Sequence, residues 1–183
     1  MLLLQTSRII DLSLFSPILV TRKTGEQLRT KVENEINLCE SNLIILDFNN
    51  VKIVDYSFAD ELIAKLLLRF ISGEFGEKRV MLANTNAEIK ENIEVALIQR
   101  QIAVLIIDKN GTIGFCGHLK EHLKEVLKII FREKELSARQ LAEIQNTTVN
   151  VSNNRLLELT KMRLISRREQ LIEGGGKQYI YYL

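Results

Sequence analysis

The sequence predicts an α/β first module followed by a smaller α+β second module. Three observations predict this. Short strand-like runs (Leu43–Leu46, Arg79–Ala83, Ile102–Ile107), the first and last wholly apolar, alternate with amphipathic helical stretches through the first two thirds of the chain. From Leu119 onward, three helical patterns come in succession and a pair of strand-like runs around a glycine cluster follows them. The charge also changes sign between the parts: residues 1–117 carry 13 basic against 15 acidic side chains, net −2, and residues 118–183 carry 12 against 8, net +4. Short apolar strands separated by helices imply a mostly parallel sheet with crossover helices. A basic second part implies an anionic partner.

Composition sets the outer limits. Of 183 residues, 46% are apolar and 26% charged, which excludes wholesale disorder and fibrous architectures. The longest apolar run, Ile102–Ile107, has six residues, far below the roughly 18 that span a bilayer. Met1–Leu4 is apolar, but it has no basic segment before it, and Arg8 and Asp11 interrupt the stretch. Two cysteines, Cys39 and Cys116, are too few for a disulfide framework. The expectation is a cytoplasmic protein with no membrane partner.

In the first module, Thr24 is the expected cap of a helix carrying Leu28, Val32, Ile36 and Cys39, which Ser41-Asn42 breaks. Leu43–Leu46 reads as a strand covered on both faces, and Asp47–Asn50 as a loop. Val51–Val54 leads to Asp55-Tyr56-Ser57, where a helix begins and runs through Phe58, Leu62, Leu66 and Phe70 to Gly73. Arg79–Ala83 is a strand, and Thr85 or Asn86 caps a helix with Ile89, Ile93, Ala96 and Leu97 on one face. Ile102–Ile107 is the third buried strand, and Asp108–Gly111 a hairpin turn into Thr112–Phe115.

The segment LIILDFNNVKIVDYSFADELIAKLL resembles the STAS domain of anti-sigma-factor antagonists, and is most similar to an uncharacterised STAS-like branch with an F-A-D-E stretch. The resemblance spans about residues 20–110. It implies a STAS-like α/β fold in which Asp55 matches the family aspartate and Ser57 falls on the position that a partner kinase phosphorylates. Tyr56 and Phe58 replace the family's serine and glycine; Phe58 is expected to make the approach bulkier, and Asp60 and Glu61 to oppose a phosphate. Two readings stay open at Ser57. It is either a helix cap with Asp60 closing a capping box, or a phosphosite that docks a kinase or anti-sigma-like protein together with Asp55, Asp60 and Glu61.

In the second module, Leu119, Leu123, Val126, Leu127 and Ile130 mark an amphipathic helix over Leu119–Arg132, and Glu133–Leu136 is a connection. Ser137-Ala138-Arg139-Gln140 has the form of a capping box opening a short helix. A turn at Gln145–Thr148 precedes a third helix with Val149, Ser152, Leu156 and Leu159 inward. Leu164–Arg168 and Gln178–Tyr182 are strand-like on either side of Glu173–Lys177. The stretches SARQLAEI, NNRLLELTKMRLISR and GGGKQYIYYL resemble the second helix, recognition helix and wing of bacterial winged helix-turn-helix regulators. Arg163 stands where that family usually has a helix-ending glycine.

The resemblance implies a DNA-binding domain over residues 118–183, joined to a STAS-like regulatory domain over residues 1–117. Asn150, Asn154 and Lys161 point outward from the third helix, flanked by Asn153 and Arg155. Asparagine suits adenine and arginine suits guanine. Arg139, Arg167, Arg168 and Lys177 are placed for phosphates. The expected function is a DNA-binding transcription regulator that works as a homodimer on double-stranded DNA. The alternative is a partner-switching protein whose winged helix makes protein contacts.

Other constellations carry less. Cys116, His118 and His122 have a ligand-like spacing, but only Cys39 or a carboxylate remains to complete a zinc site. Glu173–Lys177 lacks the phosphate-loop frame. Asp47, Asp55, Asp60 and Glu61 have no nucleophile–base set beside them. No enzyme, cofactor or metal is expected.

Overall fold

A central sheet orders the first part of the chain. In a computed structural model that describes residues 7–172 and 175–183, strands β1 (Ser7–Asp11), β3 (Leu43–Asp47), β5 (Arg79–Ala83), β6 (Ala103–Ile107) and β7 (Ile113–Gly117) lie in the order β1-β3-β5-β6-β7. The first four are parallel and β7 returns antiparallel to β6. A parallel two-residue pair, β2 (Ile18–Leu19) with β4 (Ile53–Val54), stands apart. The connecting helices are α1 (Arg22–Leu38), α2 (residues 56–72) and α3 (Ala87–Gln99).

Each parallel connection advances one place in the same direction across the sheet. Right-handed crossovers therefore put α1, α2 and α3 on one face. The core agrees: Ile44, Leu46, Val80, Leu82 and Val104, alternate positions of neighbouring strands, share one cluster with Val32 and Ile36 of α1, Leu62 and Phe70 of α2, and Ile93 and Leu97 of α3. Leu43–Leu46 is buried throughout, as a strand with both faces covered must be.

Several local expectations change. The cap of α1 is Thr21, not Thr24; its hydroxyl accepts from the Thr24 N–H, and Thr24 falls in the first turn. Asp55 caps α2 through a 2.7 Å bond from the Phe58 N–H. Ser57 is thus the second helical residue and neither caps the helix nor forms a box with Asp60. Strands β1 and β2 occupy residues that carry no apolar alternation long enough to announce them. Helix α2 also changes its winding. One α-helical turn, Tyr56–Phe58, gives way to a π-helical stretch, Ala59–Ala64, before α-helix resumes over Lys65–Ser72 and closes on left-handed Gly73.

The chain divides into two units, Met1–His118 and Leu119–Leu183. The second contains α4 (Glu121–Glu133), β8 (Glu135–Ser137), α5 (Ala138–Ile144), α6 (Val149–Lys161), β9 (Ser166–Leu171) and β10 (Lys177–Tyr182). Its strands form an antiparallel sheet in the order β8-β10-β9. Glu135 and Leu136, expected in the connection Glu133–Leu136, and Ser137, expected to open the capping box, therefore form an edge strand held by β10. The capping box at α5 is complete: the Ser137 hydroxyl accepts from Gln140 N–H while the Gln140 amide accepts from Ser137 N–H. Thr148 caps α6. Arg163 takes the left-handed conformation (φ 61°) after α6, and Leu164 N–H bonds back to Leu159 O at 3.1 Å. The helix thus closes as it would around glycine, with arginine carrying the strain. Glu173 and Gly174, and with them part of the Glu173–Lys177 turn, lie outside the described residues. No helix among the described residues is long and apolar enough to cross a membrane.

Candidate functional site

In the second unit, the third helix packs through Ser152, Leu156 and Leu159, each fully buried. Val149, expected among them, is 47% exposed. It is the first residue of α6 and precedes the buried stripe, so nothing of the core reaches it. On the opposite side, Asn150, Asn154 and Lys161 are exposed, and their side chains make no hydrogen bond or ion pair among the described residues. Arg139, in the first turn of α5, is exposed in the same way.

The other candidates are engaged within the protein. Asn153 accepts the Tyr181 hydroxyl at 3.0 Å, which ties the start of α6 to β10. Arg155 donates to the Gln145 side chain at 2.9 Å. Arg168 pairs with Glu135 at 2.7 Å and lies over the Tyr182 ring, joining β9 to β8 across β10. Lys177 pairs with Glu169 at 2.7 Å. Arg167 stacks on Tyr179, its guanidinium carbon 4.4 Å from the ring centroid, which leaves its face toward solvent cationic. Sequence spacing could expose which side of α6 faces out, but not these ties, because Gln145, Glu135 and Tyr181 come from other elements. Between the first turns of α5 and α6 and the β9–β10 hairpin lies a groove of about 660 Å³, lined by Arg139, Val149, Asn153, Gln170, Lys177 and Tyr179, among others.

In the first unit, the acidic residues expected to oppose a phosphate at Ser57 are inside. Asp60 and Glu61 are 4% and 2% exposed, in the π-helical stretch of α2. Arg100 grips Asp60 through two bonds, Nε to Oδ1 at 2.8 Å and Nη2 to Oδ2 at 3.1 Å. Arg22 reaches both acids, Asp60 at 3.0 Å and Glu61 at 3.1 Å. Arg29 (3.1 Å) and Lys65 (2.6 Å) complete the shell of Glu61, and Glu33 links Arg29 to Arg69. Two buried carboxylates thus meet four cations, and they are charge-compensated rather than a repulsive patch. Hydrogen bonds from Arg100, then Arg22, hold the Asp60 carboxyl below the usual range against its burial. Burial alone raises Glu61, but bonds and charge from Lys65, Arg22 and Arg29 outweigh it and leave it lowered.

Gly25 makes this approach possible. A Cβ there would sit 2.9 Å from Glu61 Cβ and 3.3 Å from Phe58 O, so only glycine lets α1 lie this close to α2. Phe58, expected to crowd the approach to Ser57, is fully buried and leaves that surface clear. Asp55 is half-buried and bonded to the backbone of Phe58 and, through Oδ2, of Thr21; Ser57 is half-buried beside it. The sequence reading missed Arg22, Arg29, Lys65, Arg100 and Gly25. Two signals were available: the Glu61–Lys65 spacing of four residues, and Arg22 and Arg29 two turns apart on one face of α1.

A family model of a STAS-like domain of unknown function matches residues 24–90. The match runs from the first turn of α1 through β3, α2 and β5 into α3, and so includes the whole Asp60–Glu61 cluster except Arg22 and Arg100. The parallel-rich sheet with its crossover helices fits a STAS-like α/β fold. No curated protein matches the chain. Among the described residues, no group of three or more His, Cys, Asp or Glu side chains is placed to hold a metal ion. Cys116 is buried, and desolvation pushes its thiol up to about 12.

Proposed function

We propose that this protein is a DNA-binding transcription regulator, in which residues 119–183 form a winged helix-turn-helix and the STAS-like part senses a ligand or partner protein. The observation that carries this reading is the outward face of α6: Asn150, Asn154 and Lys161 are exposed and unengaged, on a helix whose opposite side is fully buried. A helix with a solvated, hydrogen-bonding stripe at its N-terminal half suits insertion into a major groove. The element order α4-β8-α5-α6-β9-β10, with the β9–β10 hairpin after α6, supports the winged architecture. Arg139, Lys161 and Arg167 supply phosphate contacts that fix position rather than sequence. Arg168 and Lys177, which already pair with Glu135 and Glu169, hold the wing in shape and contribute less. The protein acts as a homodimer on two half-sites, since readers of this kind gain affinity by pairing.

The test is binding of fluorescent duplex DNA by the full chain and by the triple variant R139A/K161A/R167A. The reading predicts a clear loss of affinity in the variant and a shallower dependence on salt. Equal affinity of the two chains would count against it.

A second reading is favoured by one observation. With Asp60 and Glu61 neutralised by four cations and Phe58 buried, none of these three side chains opposes a phosphate on Ser57 at the start of α2. In this reading Ser57 is a phosphosite for a partner kinase and α2 docks the partner. Mass spectrometry of the protein from its own cells tests it; phosphate on Ser57 supports it, and a consistently unmodified peptide argues against it.

A further inference from the structure

We propose that the bases read by α6 are A·T pairs, with Asn150 and Asn154 each recognising an adenine about two base pairs apart. The inference rests on the DNA-binding reading above and adds which duplexes are chosen.

Guanine is read most often by arginine, through O6 and N7. The arginine on α6 available for this is Arg155, and its guanidinium is held by Gln145 at 2.9 Å on the half-buried flank of the helix. Cytosine is read by a carboxylate accepting from its amino group. The carboxylate on α6 is Glu158, and Lys120 holds it at 2.8 Å with His122 at 3.9 Å. Both G·C-reading groups are therefore occupied within the protein itself.

The groups left free in the first half of α6 all suit A·T. Asparagine pairs bidentately with adenine N6 and N7, and Asn150 and Asn154 are exposed and unengaged, one turn apart. Asn153, a third candidate, is taken by Tyr181. Four residues of helix advance about 6 Å, close to two base-pair steps of about 3.4 Å. Val149 and Val151, in the same first turn, are 47% and 39% exposed. Neither has a role in the core, and small apolar side chains at that point suit the thymine methyl group. Lys161 lies in the last turn of α6, away from the end that faces bases, and Arg139 lies on α5, across the groove from Val149, where the reading above gives it a phosphate.

The experiment is selection of the full-length protein against a random duplex library, followed by sequencing. The expected product is an A·T-rich half-site with two adenines about two base pairs apart. Asn154→Ala and Asn150→Ala should each flatten the preference at one of these positions and weaken binding to the selected site about tenfold. Asn154→Arg should shift its position to guanine. Gln145→Ala, which releases Arg155, should admit guanine nearby. Because Asn150 and Asn154 are exposed, the variants should keep the circular dichroism of the parent. Enrichment of G·C at these positions, or tight binding with no preference, would overturn the inference and leave DNA binding standing. Retention of no duplex under any condition would overturn both.

Discussion

Substituting Arg100 with methionine removes the two bonds that clasp Asp60 and leaves Arg22 as its remaining cation. Breaking a buried ion pair from one side costs about 3–5 kcal/mol, because a charge is left without its partner. Arg100 is 34% exposed and Arg22 stays in place, so water and one cation offset part of that. The expected loss is about 2–3 kcal/mol. Removing both partners in R100M/D60L takes away the orphaned charge, and the double variant should lie within about 1 kcal/mol of the parent. The assay is native-state hydrogen exchange of the Ile44–Leu46 amides, which sit in the middle of the sheet and report opening of the first unit alone. Acid supplies a second readout. The lowered carboxyls of Asp60 and Glu61 contribute stability that is present above about pH 4 and lost as pH falls through their folded values. In R100M the Asp60 carboxyl moves back toward its ordinary range, so the gap between variant and parent should narrow below pH 4. A double variant whose loss equals the two single losses added together would refute the reasoning, since it would mean that Asp60 and Arg100 are not coupled.

Three further outcomes follow from local geometry. Gly25→Ala, which in an open helix gains stability, should here cost about 1–3 kcal/mol by the same exchange measurement, because the new methyl meets Glu61 Cβ at 2.9 Å while three cations hold that side chain. Arg163→Gly should unfold at a higher midpoint than Arg163→Ala, by the equivalent of about 1 kcal/mol, since both variants lose the arginine side chain and only glycine takes φ 61° without strain. Iodoacetamide at pH 8 should label half-buried Cys39 and leave Cys116 unmodified in the folded chain, as mass spectrometry of the peptides will show; the buried Cys116 thiol stays protonated far above that pH.

The alternation of buried strands and amphipathic helices was legible because burial imposes it directly: Leu43–Leu46, Arg79–Ala83 and the repeat of Leu28, Val32 and Ile36 could hardly face water. Local capping was legible too, as at Asn86 and in the Ser137–Gln140 box, since the partners lie within one turn. Strand β1 was not, because an edge strand of five residues with Arg8 and Ile9 exposed carries little hydrophobic alternation. The Asp60–Glu61 cluster was hidden for a different reason. Charged residues are expected outside, and only a third dimension brings Arg22, Arg29 and Arg100 onto them. The π-helical winding from which both acids reach these cations, with Arg22 shared between them, has no signature in composition. On α6 the outward stripe was read correctly, and the loss of Arg155 and Asn153 to Gln145 and Tyr181 depended on contacts across a turn and a strand.

The central claim is that the face presented by α6 and the wing binds duplex DNA through a small set of cations that no carboxylate neutralises among the described residues. The most direct measurement is the affinity of the full-length protein for duplex DNA as a function of salt. With Arg139, Lys161 and Arg167 each neutralising one phosphate, the logarithm of the association constant should fall with the logarithm of salt concentration at a slope of about −3 per protomer. A flat response, or no measurable association at low salt, would contradict the account.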